Sequence, residues 1–195
     1  MSNKIKSFSL AIDGSTNILS IALLDKIKVL KVKHFNFSSK VKDIDDYFIS
    51  IMNFFNQQFQ IDSLYVGCGP GSFSGLRRTI SFAKAFQLAQ KKGKNSIFSS
   101  IAINSLAALP YKISEKKKLV DFDYLLSVID SKCNDFFAQL YSTKKNTYNL
   151  PILPISKITT LTTDKFDSFV ESHSIEKKRV GIIGLPDEKI NNSSF

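Results

Sequence analysis

Two cysteines and two histidines are all that this chain of 195 residues offers to thiol or imidazole chemistry. Cys68 and Cys133 stand far apart and form no CxxC pair, so neither a disulfide framework nor a zinc-thiolate site is expected, and both should be reduced thiols. His34 and His173 belong to no HExxH or HxxxH pair and have no carboxylate at metal-ligand spacing, so no metal site is expected. No apolar run approaches the length that spans a bilayer. The opening MSNKIKSFSL lacks both a long apolar segment and a small-residue cleavage site, so a soluble cytoplasmic protein without membrane association is expected.

Acidic side chains are also in the minority, 17 against 27 Lys and Arg, which leaves a formal charge of +10. The excess gathers at Lys91, Lys92 and Lys94, at Lys116 to Lys118, at Lys144 and Lys145, and at Lys177 to Arg179, where loops are expected. Such a surface attracts phosphates with salt-sensitive affinity. No base-reading motif accompanies it, and lysine-rich solvated loops are the simpler reading. What is plentiful is apolar: 43% hydrophobic content supports a substantial core, in one domain or two small lobes.

Phe8 to Ile12 is an apolar run ending in Asp13, and the polar turn Gly14 to Asn17 leads into Leu19, Ile21 and Leu23, a β-hairpin pattern. Lys26 to Phe37 alternates apolar residues with lysines as a third, half-exposed strand. From Val41 to Phe59, Ile44, Phe48, Ile51 and Phe55 recur at helical spacing, widened by Tyr47, Met52 and Phe54 into a stripe broader than one sheet can cover. A strand over Leu64 to Gly67 follows. A second helix then carries Leu76, Ile80, Ala83 and Gln87 on one face and Phe82, Phe86 and Ala89 on another. Ile97 and Phe98 predict a fifth strand, and Ile101 to Leu109 a helix ended by Pro110.

Between that fourth strand and the second helix lies CGPGSFSGLR, Cys68 to Arg77. Gly69, Gly71 and Gly75 permit positive φ and close backbone approach, Pro70 and Phe73 complete the turn, and Ser72 and Ser74 can cap the helix. Free N–H groups at such a junction attract anions. Yet Leu76 and Arg77 follow Gly75 where a Walker loop needs Lys and Ser or Thr, and Rossmann spacing is absent, so a structural turn stands beside an anion site.

The opening theme returns beyond the charged linker Lys112 to Lys118. Leu125 to Ile129 ends in Asp130, Ser131 to Asp135 form a turn, and Phe136 to Tyr141 return as a strand. A strand through Ile152, a helix around Phe166 to Val170, the strand Val180 to Ile183 and a turn at Gly184 follow. The echo implies an α/β protein of two duplicated lobes, residues 1–110 and a shortened 111–195. Asp13 before a tight turn commonly bonds its own backbone, and Ser15 and Thr16 satisfy backbone groups as readily as phosphates.

Three segments, LAIDGSTNILSIAL from Leu10, GPGSFSGLR from Gly69 and VIDSKCNDFFAQLY from Val128, resemble the bacterial TsaB (YeaZ) family, whose forms run close to IDTSTxxxSVAL, GPGSFTGLR and IDARRGEVYxxLY. The resemblance implies the actin-like, Hsp70-like ATPase (ribonuclease H-like) fold, each lobe a mixed sheet with helices. It implies a non-catalytic accessory subunit in forming N6-threonylcarbamoyladenosine at position 37 of tRNAs that read codons starting with A. A TsaD-type catalytic subunit, a TsaE-type ATPase and tRNA through the complex would be its partners, with a second copy of itself when alone. ATP and a metal ion would sit on the partner subunits, with no cofactor here. In the catalytic relative two histidines on the first helix hold the metal; Val41 to Phe59 contains none.

By the same resemblance the first two helices form the partner interface, giving Tyr47, Ile51, Phe54, Phe55, Leu76, Arg77, Ile80, Phe82, Ala83 and Phe86 as candidates; some of them could instead pack inside their own lobe. Asp13, Ser15, Thr16 and Asp130 would mark a vestigial nucleotide cleft, and an independent ATP-binding kinase or ATPase of the same fold is the alternative. The chain departs from the family where Thr79 and Ala85 replace glycines, Arg78 replaces an apolar residue, and Lys132 and Cys133 replace two arginines.

Overall fold

The computed structural model describes residues 6–26, 28–36, 59–91, 98–115, 122–131, 133–144, 152–173 and 179–184. Contacts divide the chain into two units, Met1–Cys68 with Ser72–Ile103, and Gly69–Gly71 with Asn104–Phe195.

The first unit is a five-stranded mixed sheet. Strands β1 (Lys6–Asp13), β2 (Ile18–Asp25), β3 (Lys28–Asn36), β4 (Phe59–Gly67) and β5 (Ser99–Ile103) lie in the order β3-β2-β1-β4-β5. The meander β1-β2-β3 is antiparallel, and β4 and β5 add in parallel. Along β2, Leu19, Ile21 and Leu23 are buried while Ser20 and Ala22 are half-exposed, the alternation of a sheet with one covered face. That face joins Phe8, Leu10 and Ile12 to Leu64 and Val66, and helix α1 (Phe73–Lys91) closes it with Ala83 and Phe86. On the edge strand β3 only Phe35 is buried; Lys28, Lys31 and Lys33 stand among exposed residues and discourage edge-to-edge pairing between copies.

Two boundaries differ from the sequence expectation. Strand β4 begins at Phe59 because its pairing with β1 extends back to Lys6. The fifth strand occupies Ser99–Ile103, not Ile97 and Phe98, because each of its residues finds a partner on β4, from Ser63↔Ser99 to Gly67↔Ile103. The helix expected from Ile101 therefore starts at Ser105, where the Asn104 side chain accepts the Leu106 N–H at 2.9 Å as an N-cap.

In the second unit this helix, α2 (Ser105–Glu115), packs on β6 (Tyr124–Asp130) and β7 (Phe136–Ser142). It continues past Pro110, which the sequence reading took as its end. Proline removes one intrahelical bond, and here the ring is buried, which offsets part of that loss. Because α2 sits on the second sheet, the units divide after Ile103 and not at residue 110. Strands β8 (Leu153–Pro154) and β9 (Thr159–Leu161) both pair with β7, and β10 (Val180–Ile183) joins β6 in parallel. The antiparallel pair β6-β7 with parallel β10 repeats β1-β2 with β4, so the duplicated α/β architecture is present.

Strand β6 is buried from Leu125 through Ile129 without alternation, because both of its faces are covered. One face packs Leu126 and Val128 with Ala138, Leu140 and Phe166 of helix α3 (Phe166–Glu171), where the Phe136 and Phe166 rings meet edge-on at 5.8 Å. On the other, Tyr141 donates its hydroxyl to Gln139 Oε1 at 2.6 Å, and the same oxygen accepts from Asn104 Nδ2 at 3.0 Å. Burial, reinforced by Tyr111, pushes the Tyr141 phenol from 10.0 up to about 12. The folded state thus keeps a proton that the unfolded chain releases, so this contribution to stability is complete below pH 10 and is lost as pH rises from 10 towards 12. Tyr141→Phe should remove that alkaline loss at a cost of about 1 kcal/mol at neutral pH for the missing bond. Tyrosinate absorbance followed with pH should lose its latest-ionising component in the variant. Among the described residues, no helix is long and apolar enough to cross a membrane.

Candidate functional site

Strand β1 ends at Asp13, and the chain turns through Gly14, Ser15 and Thr16 before β2. Asp13 Oδ1 accepts two hydrogen bonds from Ser15, from its N–H at 2.9 Å and its hydroxyl at 2.6 Å. Ser15 is buried, and its carbonyl accepts the Ser72 N–H at 2.7 Å, tying the β1-β2 turn to the start of α1. Thr16 is exposed, and its hydroxyl is the acceptor for the Ile18 N–H at 3.2 Å. The turn therefore satisfies itself. The N–H and hydroxyl of Ser15 are both engaged by Asp13.

Two glycines let this turn sit where it does. A side chain at Gly67 would overlap the Asp13 carboxylate, coming within 2.6 Å of its Cγ. One at Gly14 would come within 2.5 Å of Thr79 Oγ1 and 3.0 Å of the Gly75 carbonyl on α1. Gly14 thus contributes smallness against the first turn of α1, and of the three loop glycines Gly69 (φ 92°) and Gly71 (φ 154°) supply the positive φ anticipated, while Gly75 lies in the first turn of α1. Ser72 caps α1, its hydroxyl accepting the Gly75 N–H at 3.4 Å, and lies at 3.4 Å from the Ser74 hydroxyl. The bond between Gly69 and Pro70 is cis. The Thr79 hydroxyl, pressed against Gly14, is buried without a hydrogen-bond partner.

Asp130 ends β6 as Asp13 ends β1, but the sides differ. Strand alternation puts Asp130, opposite Phe136, on the face of Leu126 and Val128 that forms its unit's core. Asp13 follows Ser9 and Ala11, on the face away from Leu10 and Ile12. The echo is one of chain order and not of side-chain placement. In the β6-β7 turn Ser131 bonds the Asp135 side chain and accepts the Cys133 N–H at 3.1 Å, and Asn134 takes the positive φ of 63°. The sequence reading placed Asp135 at the end of this turn without assigning it a bond, although a Ser four residues before an Asp across a tight turn is a usable signal.

The candidate interface residues of α1 fall mostly on its inner half. Ala83 (6% exposed) and Phe86 (8%) are core, and Ile80 and Phe82 pack against that core; Leu76 is half-buried. Of these only Arg77 faces outward. An apolar helical stripe is claimed first by the sheet beneath it, and Ala83 and Phe86 take the alternative left open for these candidates, packing inside their own unit. Phe73 is 81% exposed and Leu88 64%, and both stand on the outer half, which the sequence reading overlooked because it has no apolar periodicity. Tyr47, Ile51, Phe54 and Phe55 lie outside the described residues, as do Lys132 and most of the lysine clusters.

Neither histidine joins a cluster. His34 Nδ1 lies 2.9 Å from the Ser20 hydroxyl on β2, and His173 Nδ1 lies 2.9 Å from the Phe169 carbonyl after α3. Among the described residues no group of three or more His, Cys, Asp or Glu is placed to hold a metal ion. Cys68 and Cys133 are free and exposed.

No curated protein matches the chain. Among solved structures, a Pseudomonas aeruginosa protein described as similar to peptidase YEAZ is 18% identical, with 82% of this chain and 68% of that one covered at a TM-score of 0.63. YeaZ from Pseudomonas aeruginosa is likewise 18% identical over the same shares, with a TM-score of 0.62. These likenesses establish the actin-like ATPase fold. Residues 41–177, most of both units, match the family model described as TsaD: tRNA N6-adenosine threonylcarbamoyltransferase. By that match the chain belongs to the TsaD family, in the fold of the YeaZ (TsaB) proteins.

Proposed function

We propose that this protein is an accessory subunit in the formation of N6-threonylcarbamoyladenosine at position 37 of tRNAs that read codons starting with A. It binds and activates a TsaD-type catalytic subunit in the cytoplasm and does not perform the transfer itself. The family match over residues 41–177 is the observation that supports a role in this modification. The chain's own composition supports the division of labour. Group transfer onto an adenosine amine needs a polarising cation or convergent donors, and the two histidines lie on separate units, each bonded locally. A TsaE-type ATPase and tRNA would join through the catalytic subunit, with ATP and a metal ion held there.

Reconstitution tests it. Cognate TsaD-type and TsaE-type proteins, the adenylate-forming enzyme, threonine, bicarbonate, ATP and tRNA are combined with and without this chain, and the nucleosides are analysed by mass spectrometry. Modified adenosine should accumulate only when the chain is present. Equal modification without it would remove the accessory role.

A further inference from the structure

Where the β1-β2 turn meets α1, one side has no side chain and the other buries a polar atom that bonds to nothing. Thr79 of α1 is 1% exposed, and its Oγ1 is without a hydrogen-bond partner. Opposite stands Gly14, where a Cβ would lie 2.5 Å from Thr79 Oγ1 and 3.0 Å from the Gly75 carbonyl oxygen. Gly14 is not among the glycines of positive φ, so the position needs room and not backbone freedom. Thr79 is β-branched and stiff at χ1 on a helix, so its γ atoms cannot swing aside to make that room. With no bond to make, the Thr79 side chain serves the junction by its volume. Both positions depart from the TsaB (YeaZ) forms, in opposite senses: IDTST has a threonine where Gly14 stands, and a glycine is usual where Thr79 stands.

We infer that Gly14 and Thr79 are a size-exchanged pair, a steric key carried here by the helix and not by the turn, which fixes how closely α1 lies against the β1-β2 turn. Both residues belong to the first unit, and the inference does not depend on the accessory-subunit reading. A close-packed junction has room for one set of γ atoms: two would overlap, and none would leave a void. With the key seated, the Ser15 carbonyl accepts the Ser72 N–H at 2.7 Å and holds the turn to the start of α1. The bulk belongs to one partner at a time.

The test compares Thr79→Val with Thr79→Ala, each alone and combined with Gly14→Ala, by thermal unfolding of the full chain. Both substitutions remove the hydroxyl, so they differ in bulk and not in polarity. Thr79→Val alone should melt above wild type, because it replaces an unpaired buried hydroxyl with a methyl. It should also melt above Thr79→Ala by about 2 °C or more, because the smaller side chain leaves a void. With Gly14→Ala present the order should invert, since the added methyl strikes the γ atoms of valine and fits into the space that alanine opens. The 3.0 Å approach to the Gly75 carbonyl then needs a shift of only a few tenths of an ångström. The same order in both backgrounds would overturn the inference, as would a Thr79→Val protein that melts below wild type. Folding of the Gly14→Ala/Thr79→Ala protein alone among the two combinations is the inversion in its strongest form; failure of both to fold would assign the tightness to the Gly75 backbone and overturn the pairing. Hydrogen exchange supplies a local readout: the Ser72 amide should exchange faster in Gly14→Ala/Thr79→Val than in Gly14→Ala/Thr79→Ala, and equal rates would count against the key as the seat of α1.

Discussion

Phe86→Ala should destabilise the first unit by about 3–5 kcal/mol, the largest single-residue effect expected on α1. The ring is 8% exposed. It sits in the cluster formed by Phe8, Leu10, Ile12, Leu64 and Val66, and touches Phe82 at 5.8 Å and Phe98 at 5.7 Å between centroids. Truncation removes the contact area and leaves a cavity between helix and sheet that close packing cannot refill. Leu88→Ala, on the opposite face of the same helix and 64% exposed, should alter stability by no more than about 0.5 kcal/mol. Urea unfolding of the two variants separates the roles: a Phe86→Ala midpoint equal to that of wild type would show the ring to be a surface group.

The second large effect is expected at Gly67. An alanine methyl there would overlap the Asp13 carboxylate, with Cγ at 2.6 Å and Cβ at 3.0 Å from it. The carboxylate would have to rotate away, and the overpacking alone costs about 1–3 kcal/mol. Rotation also breaks both bonds that Asp13 Oδ1 accepts from Ser15, leaving a buried hydroxyl and an N–H unsatisfied at about 1–3 kcal/mol each. Asp13→Ala breaks the same bonds by another route but removes the carboxyl atoms that Gly67→Ala would strike most closely, leaving only Cβ at 3.0 Å. The double variant should therefore be more stable than the sum of the single losses, with a coupling of about 1–3 kcal/mol. Additive losses in denaturant titrations of the four proteins would mean that the two positions do not meet.

Much of the fold was legible because its determinants are local. The hairpins at Asp13 and Asp130 announce themselves by apolar runs broken by polar turns, and Ser72 caps α1 where the sequence places a cap. The misplacements have non-local causes. Ser99–Ile103 is a short apolar run whose strand character comes from β4 alongside it, and Pro110 is tolerated inside α2 in a buried position. The candidate site was less legible. The periodicity that marks Phe82, Ala83 and Phe86 records only that the helix has an apolar side, and that side met its own sheet.

By itself the sequence determined the α/β class, the duplicated order of strands and the glycine-rich junction, because hydrophobic period, turn residues and helix caps act within a few residues of one another. It also carried three motifs that resemble the TsaB (YeaZ) proteins. Only the tertiary structure decided which side of α1 remains outside, that Asp13 leans on Gly67 and bonds Ser15, and that Asp13 and Asp130 leave their strands on different faces. These outcomes depend on which surfaces meet across the sheet, and burial and steric fit between residues far apart in the chain are settled only when the elements pack.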